Sequence, residues 1–410
     1  MIAAEKLAQA KSLIDEFVSV QPAGMRLIEP GANLQSLAAD CTAGETLVMA
    51  PGFVSGPLTL PKPVRIVGGK VIGPVVSAAA GVALRGVQIV GQNKGQTLVT
   101  TGDDMLIEDC ILAGSAEGQH RGIRAESRNV TVRRTSIKGI WHSVDTQAIS
   151  GDNGTKGLLV EDCQLEASGE NVCFGGSDPT SEANIPQDIT FRRCSFSKPL
   201  EWRPLPACTN KNLFELKNAK RVLVEDCTMA YSWVDGQTGF AIVLTVRNQN
   251  NTAPYSTIED VTFRRVQVSH CAAGIQILGR DYTNPSGQMK RVTFEDVTVT
   301  DISPEWGSNQ RVIQMGNGGE DLTFRRCMFS GSGINSAFTL AAGSPLFTRL
   351  VVDSCEFPEG SYGIKGDNVA SLGTAALEAY APGYLWTNNT VRINQPRPRV
   401  ITWPAGTTII

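Results

Sequence analysis

Aromatic side chains make up only 6 % of this 410-residue chain. That is too few for several large globular cores, so the length does not have to mean two or three ordinary domains. No run of basic residues occurs, and 37 Lys and Arg against 40 Asp and Glu leave a net charge of −3. Such a surface could not neutralise a row of phosphates, which excludes nucleic acid as a partner. Nor is there an apolar run of the roughly 18 residues that a spanning helix requires, so no membrane insertion is expected. The N-terminus, Met1-Ile-Ala-Ala-Glu-Lys, has no basic leader followed by an apolar core, and no export signal is read there. His120, His142 and His270 are too scattered to suggest a metal set, and Cys173, Cys208 and Cys271 lack CxxC spacing. No cofactor motif is present, and only a carboxylate-held Ca2+ stays open.

What the chain has is an internal repeat. Met105-Leu-Ile-Glu-Asp-Cys-Ile-Leu112 is the first of nine similar octets, which also begin at Val130, Leu158, Ile189, Val222, Val261, Val292, Leu322 and Leu350. Positions one, three, six and eight are apolar or Cys, apart from Thr135. Two short period-two strands therefore meet at a bend between positions four and five. Successive octets begin 25 to 39 residues apart, a variation that stacked coils with variable loops tolerate. The expected fold is all-β, a single-stranded right-handed parallel β-helix built of three-strand coils.

Positions four and five alternate along the chain, from Glu108-Asp109 and Arg133-Arg134 through to Glu295-Asp296 and Arg325-Arg326. Rungs of a parallel sheet lie about 4.8 Å apart, so like pairs would repel and alternating ones form an ion-pair ladder. These charges are read as structural and are kept out of the site. Cys110, Cys163, Cys194, Cys227, Cys327 and Cys355 share position six, where a buried thiol packs as a small hydrophobe.

The expected organisation is an N-terminal helix and cap over residues 1–44, the β-helix over 45–378, and a C-terminal cap or tail over 379–410. Residues 2–20 carry apolar side chains at helical spacing, an amphipathic helix that would cap the first coil or bundle with copies of itself. In the tail the octets give way to Pro382, Pro396, Pro398 and Pro404 with Trp386 and Trp403. Both ends are extra to the prism and suggest a homo-oligomer, a trimer or a larger assembly.

Several segments are distinctive: Glu166-Ala-Ser-Gly-Glu-Asn-Val-Cys-Phe-Gly-Gly-Ser-Asp-Pro179, Lys198-Pro-Leu-Glu-Trp202, Lys211-Asn-Leu-Phe-Glu-Leu-Lys-Asn218, Trp233-Val-Asp-Gly-Gln-Thr-Gly-Phe-Ala-Ile242 and Arg247-Asn-Gln-Asn-Asn-Thr-Ala-Pro254. Over roughly residues 140–285 the chain resembles a family of right-handed β-helix proteins of bacteria and phages, within the pectin-lyase-like superfamily. That family has no settled activity, and its relatives include polysaccharide lyases, polygalacturonases and phage tailspikes. The Gly-His-Gly and Arg-Ile-Lys of the polygalacturonase pattern are missing, and Trp141-His-Ser-Val-Asp145 echoes a pectate-lyase segment poorly.

Candidate site residues come from aligning Phe214-Glu-Leu-Lys-Asn218, Leu244-Thr-Val-Arg-Asn248 and Ile277-Leu-Gly-Arg-Asp281. Alternation then turns Glu215, Lys217, Thr245, Arg247 and Arg280 outward on three successive rungs. Three stacked cations repel unless an anion, such as an acidic sugar or Glu215 and Asp281, bridges them. For a lyase, Lys217, Arg247 and Arg280 would neutralise a uronate and remove its proton; for a hydrolase, Glu215 and Asp281 would flank the bond. Trp202, Trp233, Asp235 and Trp306 lie in long loops and could stack on sugar faces or simply pack. The partner expected is therefore polysaccharide. The leading reading is a phage virion protein, tailspike-like or decorating and made in the host cytoplasm; a free extracellular lyase or hydrolase and a purely structural module are the alternatives.

Overall fold

The computed structural model describes residues 24–341, 346–367, 372–393 and 401–410. Three parallel sheets of 15, 14 and 12 strands run along it, here called sheets A, B and C. Each coil visits A, then B, then C before returning to A one rung further on. This is the right-handed parallel β-helix that the octets imply.

Every octet contributes its first strand to sheet A and its second to sheet B, as Leu106–Glu108 and Ile111–Ala113 do for the first. The corner between them is residue five, which is left-handed throughout: φ is 54° at Asp109, 46° at Arg134, 54° at Asp162 and 51° at Arg193. A side chain there costs roughly 1 kcal/mol, and at the charged corners lateral pairing along the stack helps to offset it. Position three stacks inside, where the Phe263, Phe294 and Phe324 rings lie 5.0 and 5.1 Å apart and nearly parallel. The six position-six cysteines are buried and unpaired, each a thiol rather than half of a disulfide.

The charge ladder is as expected in outline. Arg192 lies between Glu161 at 3.4 Å and Glu225 at 3.0 Å on the flanking rungs. At position five, however, Arg193 engages only the preceding rung, donating to both oxygens of Asp162 at 2.7 and 2.9 Å. The arginines are partly exposed, while Glu108 and Glu225 are buried beneath them. A second ladder, not foreseen, occupies the residue before each octet from Ile189 to Leu350. There Arg221 pairs with Asp188 at 2.6 Å and Arg291 with Asp260 at 2.5 Å, again at left-handed corners.

The stack extends past residues 45 and 378 in both directions. Met25–Ile28 pairs with Glu45–Met49, and the short helix Leu34–Asp40 buries Leu34 and Ala38 against the first coils. At the other end the octets do not stop. Tyr384-Leu-Trp-Thr-Asn-Asn-Thr-Val391 continues them, with Leu385 beside Val351 and Thr390 beside Glu356. It escapes a pattern search because Asn389 fills the cysteine position and no charged pair precedes it. There Asn389 accepts from Cys355 N at 2.8 Å and donates to Val352 O at 2.9 Å. Val64-Arg-Ile-Val-Gly-Gly-Lys-Val71 and Val82-Ala-Leu-Arg-Gly-Val-Gln-Ile89 are likewise octets, with glycine at the corner. The amphipathic segment 2–20, Pro396 and Pro398 lie outside the described residues.

Candidate functional site: the walled outer face of sheet C

Sheets A and B show their outer faces, but over its middle rungs sheet C does not. Its strands Gln147–Gly151, Glu170–Phe174, Asn212–Leu216 and Phe240–Thr245 are buried along their whole length. Two adjacent residues near the head of a strand enter the core, such as Leu213 with Phe214 and Ala241 with Ile242. The residues on either side therefore turn outward, so that Asn212 and Glu215 face away from the core like Phe240 and Val243 on the next rung.

Loops flank this face on both sides. On the side of sheet B, Thr209 N donates to His142 O at 3.0 Å, Asn210 N to Asp235 Oδ2 at 2.7 Å, and Val234 N to Trp306 O at 2.8 Å, tying four loops into a wall. On the side of sheet A, Asp178 accepts from Asn250 N, Thr252 N and Thr252 Oγ1 at 3.0, 3.0 and 2.7 Å, and Tyr255 donates to Pro179 O at 2.6 Å. Sheet C is thus the floor between two loop walls.

Buried charge collects on that floor. Glu170 accepts from Gln147 Nε2 at 2.5 Å and lies 3.3 Å from Lys211 Nζ, which also pairs with Asp145 at the rim. Glu215 accepts from Asn212 Nδ2 at 2.9 Å, lies 3.8 Å from Lys217 Nζ and touches the carboxyl of Glu170. Burial raises the Glu215 pKa to about 7; Lys217 pulls it down and the neighbouring Glu170 pushes it up. Burial also raises Asp152. For Asp145 burial acts in the same direction, but the ion pair with Lys211 outweighs it and keeps that carboxyl below its usual range. Burial works against the charge of Lys217, yet Glu215 and its acidic neighbours hold its pKa above the ordinary lysine value. Behind the floor, Lys198 donates to Ala167, Ser168 and Gly169 carbonyls at 2.9, 3.0 and 2.6 Å, and burial lowers its pKa to about 7. These groups hold the turn from which Glu170 projects.

The candidate residues fare unequally. Glu215 and Lys217 are together on the floor. The row of three cations is not formed, because Phe214 pairs with Ile242 and Leu216 with Leu244, whereas Leu244 pairs with Ile277. The strand of Lys217 is thus paired two positions away from the alignment assumed with Leu244, a slip that preserves inside and outside and so escapes an alternation argument. The cations are not short of partners either. Arg247 lies 3.7 Å from Asp281, and Arg280 donates to Gln288 Oε1 at 2.9 Å. Asp281 is scaffolding, since its buried carboxylate accepts from Asn248 N and Thr283 N at 2.8 Å each and from Asn284 N at 3.2 Å. Trp202, Trp233 and Trp306 are buried with Cys208 and Ala272 as the core of the loop wall, not as platforms. Thr245 is buried and Asp235 caps Asn210.

Glu170, Asp145, Asp152 and Lys211 were missed, although Glu170 and Lys211 stand in the distinctive segments. His120 and His142, on neighbouring coils, meet edge to face at 4.6 Å beside this cluster. Among the described residues no group of three or more His, Cys, Asp or Glu is arranged to hold a metal ion, and no helix is long and apolar enough to cross a membrane.

No family model and no curated protein sequence matches the chain. Solved structures do match its fold. A family 28 exopolygalacturonase of Yersinia enterocolitica superposes with a TM-score of 0.50 at 10 % identity, covering 95 % of this chain and 79 % of that one. The tailspike protein of E. coli bacteriophage HK620, in complex with pentasaccharide, gives 0.53 at 12 % identity over 94 % and 68 %. The catalytic unit of a GH87 α-1,3-glucanase from Streptomyces thermodiastaticus gives 0.50 at 12 % identity over 95 % and 69 %. The chain has the right-handed parallel β-helix fold that these structures share.

Proposed function

We propose that this chain is a polysaccharide-binding β-helix of the phage-virion type, which seats glycan in the trough over sheet C and cleaves it with Glu215 as general acid. The observation that carries the reading is a carboxyl group kept protonated to about pH 7 by burial on the floor of a walled trough. Burying a carboxyl against a second carboxyl costs stability that an apolar pair would not, and such costs concentrate at functional sites. In hydrolysis the Glu215 proton passes to the glycosidic oxygen as the bond to the sugar carbon breaks, and water completes that carbon. Glu170 touches Glu215, too close for the roughly 5–9.5 Å between carboxyls that flank a bond. We assign activation of the water to Asp145, which Lys211 holds ionised at the rim. A lyase route is less well supported, because a lysine kept charged by its neighbours is a poor proton acceptor.

The likeness to a tailspike in complex with pentasaccharide supports the glycan and virion parts of the reading. Assembly as a trimer or within a larger virion particle and synthesis in the host cytoplasm belong to it; an extracellular enzyme is the alternative. One observation favours a structural spacer instead: Lys211, Lys217 and Arg247 all have carboxylate partners inside the protein. Reducing-end release from capsular and O-antigen polysaccharides decides between them. Glu215→Gln should bind as the wild type does and cleave about 100-fold more slowly. Wild-type protein that neither binds nor cleaves any of them would leave only the spacer.

A further inference from the structure

Three buried tryptophans leave the trough without its expected sugar platform, yet one large aromatic stands open on its other wall. Tyr282 is 70 % exposed. An exposed tyrosine on a flexible tip would mean little, but this one is held. The guanidinium of Arg247 lies over its ring at 4.2 Å from the centroid. Arg247 is itself held from two directions, by Asp281 at 3.7 Å and through its main-chain N–H, which donates to Lys217 O at 3.0 Å. The Asp281 carboxylate is fixed by the main-chain N–H groups of Asn248, Thr283 and Asn284. The ring therefore rests on a rigid base one residue from that carboxylate, with one face on Arg247 and the other free.

We infer that Tyr282 is a sugar-stacking platform, which binds a pyranose of the polysaccharide by its apolar C–H face at the rim, over Arg247. The proposal rests on the glycan reading above and adds the residue and the chemistry of contact. A preorganised ring loses little conformational entropy on binding, and the cation beneath it stays in place whether or not the ligand is charged. The three tryptophans do their work elsewhere, packing the loop wall. Because Arg247 already has an anionic partner, the contact made here is apolar. Binding at this platform should therefore tolerate salt, unlike binding through free cations.

The test uses the whole chain and an array of bacterial capsular and O-antigen polysaccharides, with titration of the glycan that gives the strongest signal. Tyr282→Ala should weaken that glycan about tenfold, Tyr282→Phe should bind as the wild type does, and both should melt with it. Raising salt from about 0.05 to about 0.5 M should change wild-type affinity less than about twofold. A glycan bound equally well by Tyr282→Ala overturns the platform and leaves the glycan reading standing. A tenfold loss on adding salt overturns the apolar contact. An array without any bound glycan overturns both readings.

Discussion

The corner between sheets A and B and the outer face of sheet C are both crowded with charge, but they handle it in opposite ways. At the corner, acid and base alternate rung after rung, every arginine stays partly in water, and each pair repeats the one before. On sheet C nothing repeats. Glu170, Glu215 and Lys211 sit on adjacent rungs without period, with Lys198 behind them, and Glu170, Glu215 and Lys198 are almost wholly buried. Repetition is what stacking alone requires, since every rung meets the same neighbours. A buried and aperiodic cluster answers to something other than stacking, and there we place the site.

The comparison predicts very different costs of substitution. Lys198→Met should be the most damaging, because three main-chain carbonyls lose their donor inside the protein. A loss of about 3 kcal/mol or more in denaturant unfolding is expected, and a loss below about 1 kcal/mol would mean the turn before Glu170 does not depend on this ammonium. Arg192→Ala, at the corner, should cost at most about 1 kcal/mol, since it is more than a third exposed and screened by solvent. A larger loss would make the ladder more than a surface feature. Smallest of all is the response to a thiol reagent. All ten cysteines are free and buried, so native protein should not react and denatured protein should yield ten thiols. Fewer than ten would reveal disulfides in the column.

The octets made sheets A and B legible because their alternation, their cysteine position and their charge pairs all agree. The octet at Tyr384 was hidden by the loss of two of these signals at once, although Asn389 fills the cysteine space with hydrogen bonds of its own. The site was harder to read. Glu215 and Lys217 could be found from alternation, which marks them as outward. A two-residue register slip, invisible to alternation, put them in the wrong company with Arg247 and Arg280. Glu170 and Lys211 reach the floor from the heads of their strands, where two consecutive residues of the strand Asn212–Leu216 turn inward and the period of two fails. Tryptophans in long loops suggested platforms, but four loops tied side by side bury them.

The central claim, that sheet C carries charge at a cost that packing does not require, is tested most directly by unfolding wild type and Glu215→Gln across pH. The folded protein holds the Glu215 proton to about pH 7, against a usual glutamate value of 4.5. The folded state therefore binds more protons than the unfolded one between these values. The stability associated with Glu215 is full below about pH 4.5, falls as pH rises to about 7, and is flat above that. Glutamine keeps the shape without the charge, so Glu215→Gln should match the wild type near pH 4.5 and exceed it by about 1–3 kcal/mol at pH 8. A variant less stable than the wild type at pH 8 would mean that ionised Glu215 stabilises the fold through Lys217, and the claim would be wrong.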